Sequence, residues 1–263
     1  DQIQVSANWM AASGENIEDL ALRKGVEALS NFSIDLGVSI PVGKDSLSMR
    51  TKWEEGNDQY AVKSPLSGVI TAMAPVDDVR DAVTTLLKKD IDSQLVLIKL
   101  NDKNRLGGSI FSEVYNQTVE ETPDVDSAEI FIKMFKLTQS LIKEGSIDAL
   151  HDVSDGGLVS AICELAFTAR TGISINLDSL VKDESLLNEV LFNEEIGLIL
   201  QIDKSKINDI TNQFNEQGLN VFVLGELNTN DLLEIDLNDK TIFSDSIANL
   251  ETIWRQTSHA IQS

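Results

Sequence analysis

Cysteine is almost absent from this chain of 263 residues: Cys163 stands alone, so no disulfide can form within the chain. A single thiol fits a reducing, cytoplasmic setting. It lies in an apolar-patterned stretch with nothing nearby to depress its pKa, which makes it a buried structural thiol rather than a nucleophile. Histidine is nearly as scarce, with only His151 and His259. That rules out a His/Cys zinc pattern and leaves no Ser/His/Asp triad to argue for. Basic residues are few: 21 Lys and Arg face 43 Asp and Glu, for a net charge of −22. A nucleic-acid backbone needs a basic footprint, so that class of partner is excluded. Long uncharged apolar runs are missing too, and with them any membrane-spanning segment. No basic–apolar–small leader pattern follows Asp1.

What is present is an alternation of short strands and helices, with 42 % apolar residues to build a core. Gln2–Ala7 reads as a strand. A helix starts near Asn16, with Asp19 as a weak capping-box relative and Ile17, Leu20, Ala21 and Leu29 along it. Val38–Val42 reads as a strand running into a glycine turn, Pro65–Ala74 as another strand, and Asp77–Leu87 as an amphipathic helix. The polar stretch Lys88–Ser93 marks the best domain boundary. Beyond it, Leu95–Leu100 is a continuous apolar run of the buried-strand type, and Ser127 caps a helix carrying Ile130, Met134, Leu137 and Leu141. Strands follow at Ile173–Leu177 and Ile196–Ile202, then a helix at Ser205–Gly218. Val221–Leu227 and Leu232–Leu237 are the closing strands, with Asn238-Asp239 as a hairpin turn. The spacing therefore predicts an α/β chain of α+β character in three parts: residues 1–90, 91–247, and a tail at 248–263. The opening without Met and the abrupt final segment suggest a piece of a longer polypeptide.

The most informative stretch is His151-Asp152-Val153-Ser154-Asp155-Gly156-Gly157-Leu158. It sets an imidazole, two carboxylates and a hydroxyl ahead of a helix whose inner face is Leu158, Ala161, Ile162, Leu165 and Ala166. A helix N-terminus favours an anion such as phosphate, and a carboxylate beside it can share Mg²⁺ with that phosphate. Alternatively, Ser154 or Asp155 caps the helix and the glycines make the turn. Gly43-Lys44-Asp45-Ser46 offers a second candidate: close backbone approach, a point charge and a hydroxyl for a phosphate. It is no phosphate loop, because the upstream glycine is missing: position 38 is Val. Leu106-Gly-Gly-Ser109 opens a helical run. Asn193-Glu-Glu195 precedes a strand, either as acid–base or metal carboxylates or as a solvated strand entry.

In combination, five segments resemble the large, single-chain formylglycinamide ribonucleotide amidotransferases. They are Ser6-Ala-Asn-Trp-Met10, Ile40-Pro-Val-Gly-Lys-Asp-Ser46 with Met49, Leu106–Ser109, His151–Gly157 and Phe192–Glu195, in family order. The resemblance implies an aminoimidazole ribonucleotide synthetase-like fold, with a truncated N-terminal αβ domain followed by a C-terminal αβ domain. It corresponds to the second of two such pairs in the synthase region. Such enzymes are ATP-dependent C–N ligases of purine synthesis, converting formylglycinamide ribonucleotide, glutamine and ATP to the amidine, ADP, phosphate and glutamate. By resemblance, Gly43, Lys44 and Ser46 face ATP, Asp152 is a Mg²⁺ ligand and Ser154 contacts a structural ADP. Family positions also show differences: Val153 is often Arg, and the small form has Asn where Lys44 stands. The family's catalytic His lies in the first half of the synthase, and its glutaminase lies beyond residue 263. The chain is therefore expected to hold no catalytic residue of its own and to be inactive alone, with those missing parts of the polypeptide as its partners. A structural nucleotide-binding module, or a stand-alone member of the superfamily, is the alternative.

Overall fold

The computed structural model describes residues 3–14 and 16–262. They form two compact units, Asp1–Val79 and Arg80–Ser263. The break falls ahead of the polar stretch Lys88–Ser93.

In the first unit, β1 (Gln4–Met10) leads through helix α1 (Asn16–Leu36) to β2 (Ser39–Ser46), which lies parallel to β1. The hairpin β3 (Arg50–Glu55) and β4 (Asp58–Lys63) follows as a separate two-stranded ribbon. Strand β5 (Ser67–Met73) then returns antiparallel to β1, giving the order β2-β1-β5. The Trp9 ring is seated between Gly25 of α1 and Gly68 of β5, where an added Cβ would come within 3.1 Å of it. Asp19 holds the start of α1 by accepting from Ser13 Oγ at 2.8 Å and Gly14 N at 3.1 Å. The β3–β4 ribbon was not foreseen. Its residues are exposed on both faces, so no alternation marks it in the sequence. A stacked Trp53–Tyr60 pair, with ring centroids 5.4 Å apart, joins its strands.

The second unit is built on a seven-stranded sheet. Its elements are β6 (Ser93–Lys99), α2 (Ile110–Val114), α3 (Ala128–Lys143), β7 (Ala149–Val153), α4 (Gly157–Ala169), β8 (Gly172–Asn176), α5 (Leu187–Phe192), β9 (Gly197–Asp203), α6 (Ile207–Glu216), β10 (Asn220–Asn228), β11 (Leu232–Leu237), β12 (Lys240–Ser246) and α7 (Ile247–Gln262). The strand order is β12-β11-β8-β10-β6-β9-β7, and only β11 and β8 run parallel. Strand β6 is apolar without a break from Leu95 to Ile98 because both its faces are covered. Leu95 and Leu97 join Ile162 and Leu165 of α4, while Val96 and Ile98 join Met134, Leu141, Ile210 and Phe214 of α3 and α6. Burying each such side chain stabilises by about 1.5–3 kcal/mol. Next to the edge strand β12, β11 alternates, burying only Leu233, Ile235 and Leu237. The Asn238-Asp239 turn has φ of 52° and 58°, the left-handed pair that a two-residue hairpin needs.

One expectation fails here. Asp77–Leu87 is not a helix; only a short 3-10 turn forms at Val79–Asp81, with Val79 and Leu86 exposed. The segment carries Val79, Val83, Thr84 and Thr85, poor helix formers. Its backbone is drawn into the edge of the sheet instead: Leu150 N donates to Thr84 O at 3.0 Å, and buried Gln201 brackets Lys88 through both backbone groups. The tail expected at 248–263 is helical over its described residues. Up to Gln262 they belong to α7, which packs on α4 through Ile247 and Leu250, with Trp254 against Phe167 at 5.8 Å.

Candidate functional site

The helix after the His151 motif buries Leu158, Ala161, Ile162, Leu165 and Ala166 as expected, but the loop ahead of it is shorter. His151 and Asp152 belong to β7, opposite Ile199 and Leu198 of β9, and only Ser154–Gly156 forms the connection. The helix is capped by neither Ser154 nor Asp155. Its N-cap is Gly156, at φ 78°, with no side-chain cap. Gly157 also has positive φ, and a Cβ there would meet Asn193 O at 2.6 Å, so only glycine fits.

The group that satisfies this end of α4 is Glu194. Its Oε1 accepts from Gly156 N at 2.9 Å and from Ile110 N, in the first turn of α2, also at 2.9 Å. One carboxylate oxygen thus ties the starts of two helices, where partial positive charge favours an anion. The Gly156 amide at this helix start is thus met by a side-chain carboxylate.

Its neighbour Glu195 faces the other way and is no solvated strand entry. With its side chain 1 % exposed, it takes Arg105 Nε at 2.5 Å, Arg105 Nη2 at 2.8 Å and Asn101 Nδ2 at 3.3 Å. Burial pushes the Glu195 carboxyl up, but the bonds from Arg105 and Asn101 outweigh it and hold the group below the usual carboxylate range. Arg105 reaches on to Asp126 at 3.0 Å, which Lys103 also pairs at 2.7 Å. Buried Lys99, at the end of β6, donates to Lys103 O at 2.9 Å and Asn104 Oδ1 at 2.8 Å. Desolvation lowers its ammonium to about 8 against the pull of Glu195 and Asp102. Asn193 closes the network onto Asn104 at 3.2 Å. These bonds fix loop 101–109, and with it the Leu106-Gly-Gly-Ser109 turn, whose Ser109 caps α2 through Ser112 N.

The predicted ligand residues are placed as follows. Asp152 is 71 % exposed, with its Oδ1 3.6 Å from His151 Nδ1. His151 turns inward, with Nε2 at 3.0 Å from Glu164 and Nδ1 at 2.7 Å from Asp152 O. Ser154 and Asp155 are exposed beside Asp152. In the first unit, Gly43, Lys44 and Ser46 do not form a turn. Strand β2 runs through them, in register with Ala7, Asn8 and Met10. The Lys44 ammonium donates to Ser46 Oγ on the same face. Asn8 Oδ1, beside Lys44 in register, is a buried acceptor without a partner among the described residues. Cys163 is partly buried, and burial with Glu164 raises its thiol to about 11, so it is inert. Sequence reasoning missed Lys99 and Arg105. The available signals were a lysine ending an apolar run and one arginine directly before the Leu-Gly-Gly-Ser turn.

Among the described residues no three His, Cys, Asp or Glu side chains gather as a metal cluster.

A mixed sheet sandwiched between helices, glycine-led helix starts and an internal carboxylate tie define the class. Residues 92–238 match the AIR synthase related protein, C-terminal domain, and residues 1–75 match the FGAR-AT PurM N-like domain. The chain belongs to the AIR synthase related family. Similar solved structures include phosphoribosylformylglycinamidine synthase II from Thermotoga maritima, at 14 % identity and TM-score 0.67, covering 94 % of this chain and 37 % of that one. The T. maritima PurL structure complexed with FGAR has 14 % identity and TM-score 0.67, covering 95 % and 39 %. The hydrogenase maturation protein HypE from E. coli has 15 % identity and TM-score 0.64, covering 92 % and 73 %. The chain thus spans under two-fifths of the synthases it resembles. No helix of the described residues is long and apolar enough to cross a membrane.

Proposed function

We propose that this chain is the second synthetase-like half of a large formylglycinamide ribonucleotide amidotransferase. It would contribute one wall of an ATP-dependent C–N ligase site completed by other parts of the same polypeptide. The observation that carries this reading is the match of residues 1–75 to the FGAR-AT form of the N-terminal domain, followed by the AIR synthase C-terminal domain. The T. maritima relatives have been solved with ATP, ADP and FGAR. In this reading Gly43, Lys44 and Ser46 face the ATP phosphates. Gly43 presents bare backbone, and Lys44 supplies a positive charge to the transferring phosphoryl group. Ser46 orients that ammonium, and the unpartnered Asn8 Oδ1 beside it leaves an acceptor for a ligand donor. Ser154 stands as a nucleotide contact and Asp152 as a single carboxylate arm, each on the exposed rim of the second unit. Domain limits of 1–90 and 91–247, with 248–263 leading toward a glutaminase, go with this reading.

A second reading, a stand-alone ATP-using member of the superfamily, is favoured by the 73 % coverage of HypE. Ammonia-dependent amidine synthesis separates the two. The purified chain should give none, and the polypeptide extended by the first synthase half should give turnover that Lys44→Ala abolishes. Turnover of any nucleotide-dependent kind by the chain alone supports the stand-alone reading.

A further inference from the structure

At the end of the seven-stranded sheet away from Gly156, a cleft of about 430 Å³ opens in the second unit. That volume lies within the range of small-molecule sites. The cleft gathers three cations, Lys89, Arg170 and Lys204, and three anions, Asp92, Glu226 and Asp231, in a chain that is otherwise strongly acidic. These charges are not used alike. Lys204 is consumed internally, paired with Asp92 at 2.8 Å and Glu226 at 2.7 Å. Lys89 donates only to the Arg170 carbonyl, at 2.8 Å, so no carboxylate neutralises it. The Arg170 guanidinium and the Asp231 carboxylate take no side-chain hydrogen bond or ion pair from the described residues. Lys89 and Arg170 thus give the lining two cations free of a carboxylate, one of them a flat guanidinium fork, which suits a carboxylate. Asp231 adds a carboxylate with no cationic partner among the described residues. A dianion such as phosphate would meet Asp92, Glu226 and Asp231, and a bare cation would meet Lys89 and Arg170. The lining favours a ligand with no net charge that carries both signs.

We propose that this cleft binds a small zwitterion of the α-amino acid class, its carboxylate on Arg170 and Lys89 and its ammonium on Asp231. The site is separate from the Glu194 cluster and independent of the ligase reading.

The test is a calorimetric titration of the chain with L-asparagine, which has an uncharged side chain. N-acetyl-asparagine (no ammonium) and asparaginamide (no carboxylate) are run beside it. Saturable binding at or below about 1 mM is expected, weakened about tenfold or more by blocking either end. Arg170→Gln should erase the preference over the amide, and Asp231→Asn the preference over the acetylated form. Both side chains are exposed, and unchanged melting curves verify that the variants fold. No saturation by asparagine overturns the proposal, as do equal binding by wild type and both variants or tighter binding of inorganic phosphate than of the amino acid.

Discussion

Gly156 N and Ile110 N converge on a single oxygen, Glu194 Oε1, each at 2.9 Å. The contact joins residues far apart in the chain and makes the starts of α4 and α2 one structural unit. Glu194→Ala strands two backbone donors and should destabilise by about 1–3 kcal/mol. Glu194→Gln keeps an acceptor oxygen and should recover most of that. Urea denaturation of the three proteins checks it, and equal losses for Ala and Gln would show that charge, not the shared acceptor, matters.

Glu195 and Arg105 form the most buried ion pair of the network, with side chains 1 % and 11 % exposed. Removing one partner leaves an uncompensated buried charge. Arg105→Met or Glu195→Leu alone should each cost about 3–5 kcal/mol, and the double variant less than either. Additive losses in the same denaturation series would contradict the coupling.

Lys99 carries a pH signature. Its ammonium is lowered in the folded chain to about 8 from 10.5. Between those values the unfolded chain binds a proton that the folded one does not, so stability should rise with pH across that window. Below about 8 the cost of burying the charge is fully present. The gain from one end of the window to the other is about 3 kcal/mol. Lys99→Met, measured from pH 7 to 10.5, should flatten this rise; an unchanged slope would assign it elsewhere.

Lys44 is exposed, and its Nζ donates to Ser46 Oγ. Lys44→Ala should alter stability by no more than about 0.5 kcal/mol. In the complete polypeptide it should raise the barrier by about 2–4 kcal/mol if it neutralises phosphate charge. Steady-state kinetics beside a melting curve decides, and unchanged turnover would reduce this part of β2 to a structural strand.

Asp152→Asn should leave the isolated chain within about 0.5 kcal/mol of wild type, because the carboxylate is solvated. A larger drop, or ADP co-purifying with the wild-type chain and lost in the variant, would mean that Asp152 and Ser154 hold nucleotide without outside ligands.

Much of the second unit was legible in the chain. Periodicity alone gives Leu95–Leu100 as a two-face strand, the helices after Ser127 and Gly157, and the Asn238-Asp239 turn. In each of these local pattern and burial agree, because one element's apolar spacing is enough to say which way it faces. The exposed β3–β4 ribbon buries neither face and so leaves no period to read. The segment at Asp77–Leu87 has a helical pattern, but Thr84 O accepts from Leu150 N, 66 residues on, and the backbone of adjoining Lys88 is held by Gln201, 113 residues on, once the sheet is assembled. The motifs were visible as residue types: glycines before helices, an acidic pair, a lysine after a glycine. Their roles were not. That Glu194 meets the Gly156 amide, while Glu195 turns inward to Arg105, depends on the path of the connection from α5 to β9 and on where loop 101–109 passes. Sequence determines which residues can take a charge, a turn or a buried face. Only the tertiary structure decides which of those charges meet, because a hydrogen bond depends on distances of a few tenths of an ångström between groups the chain keeps far apart.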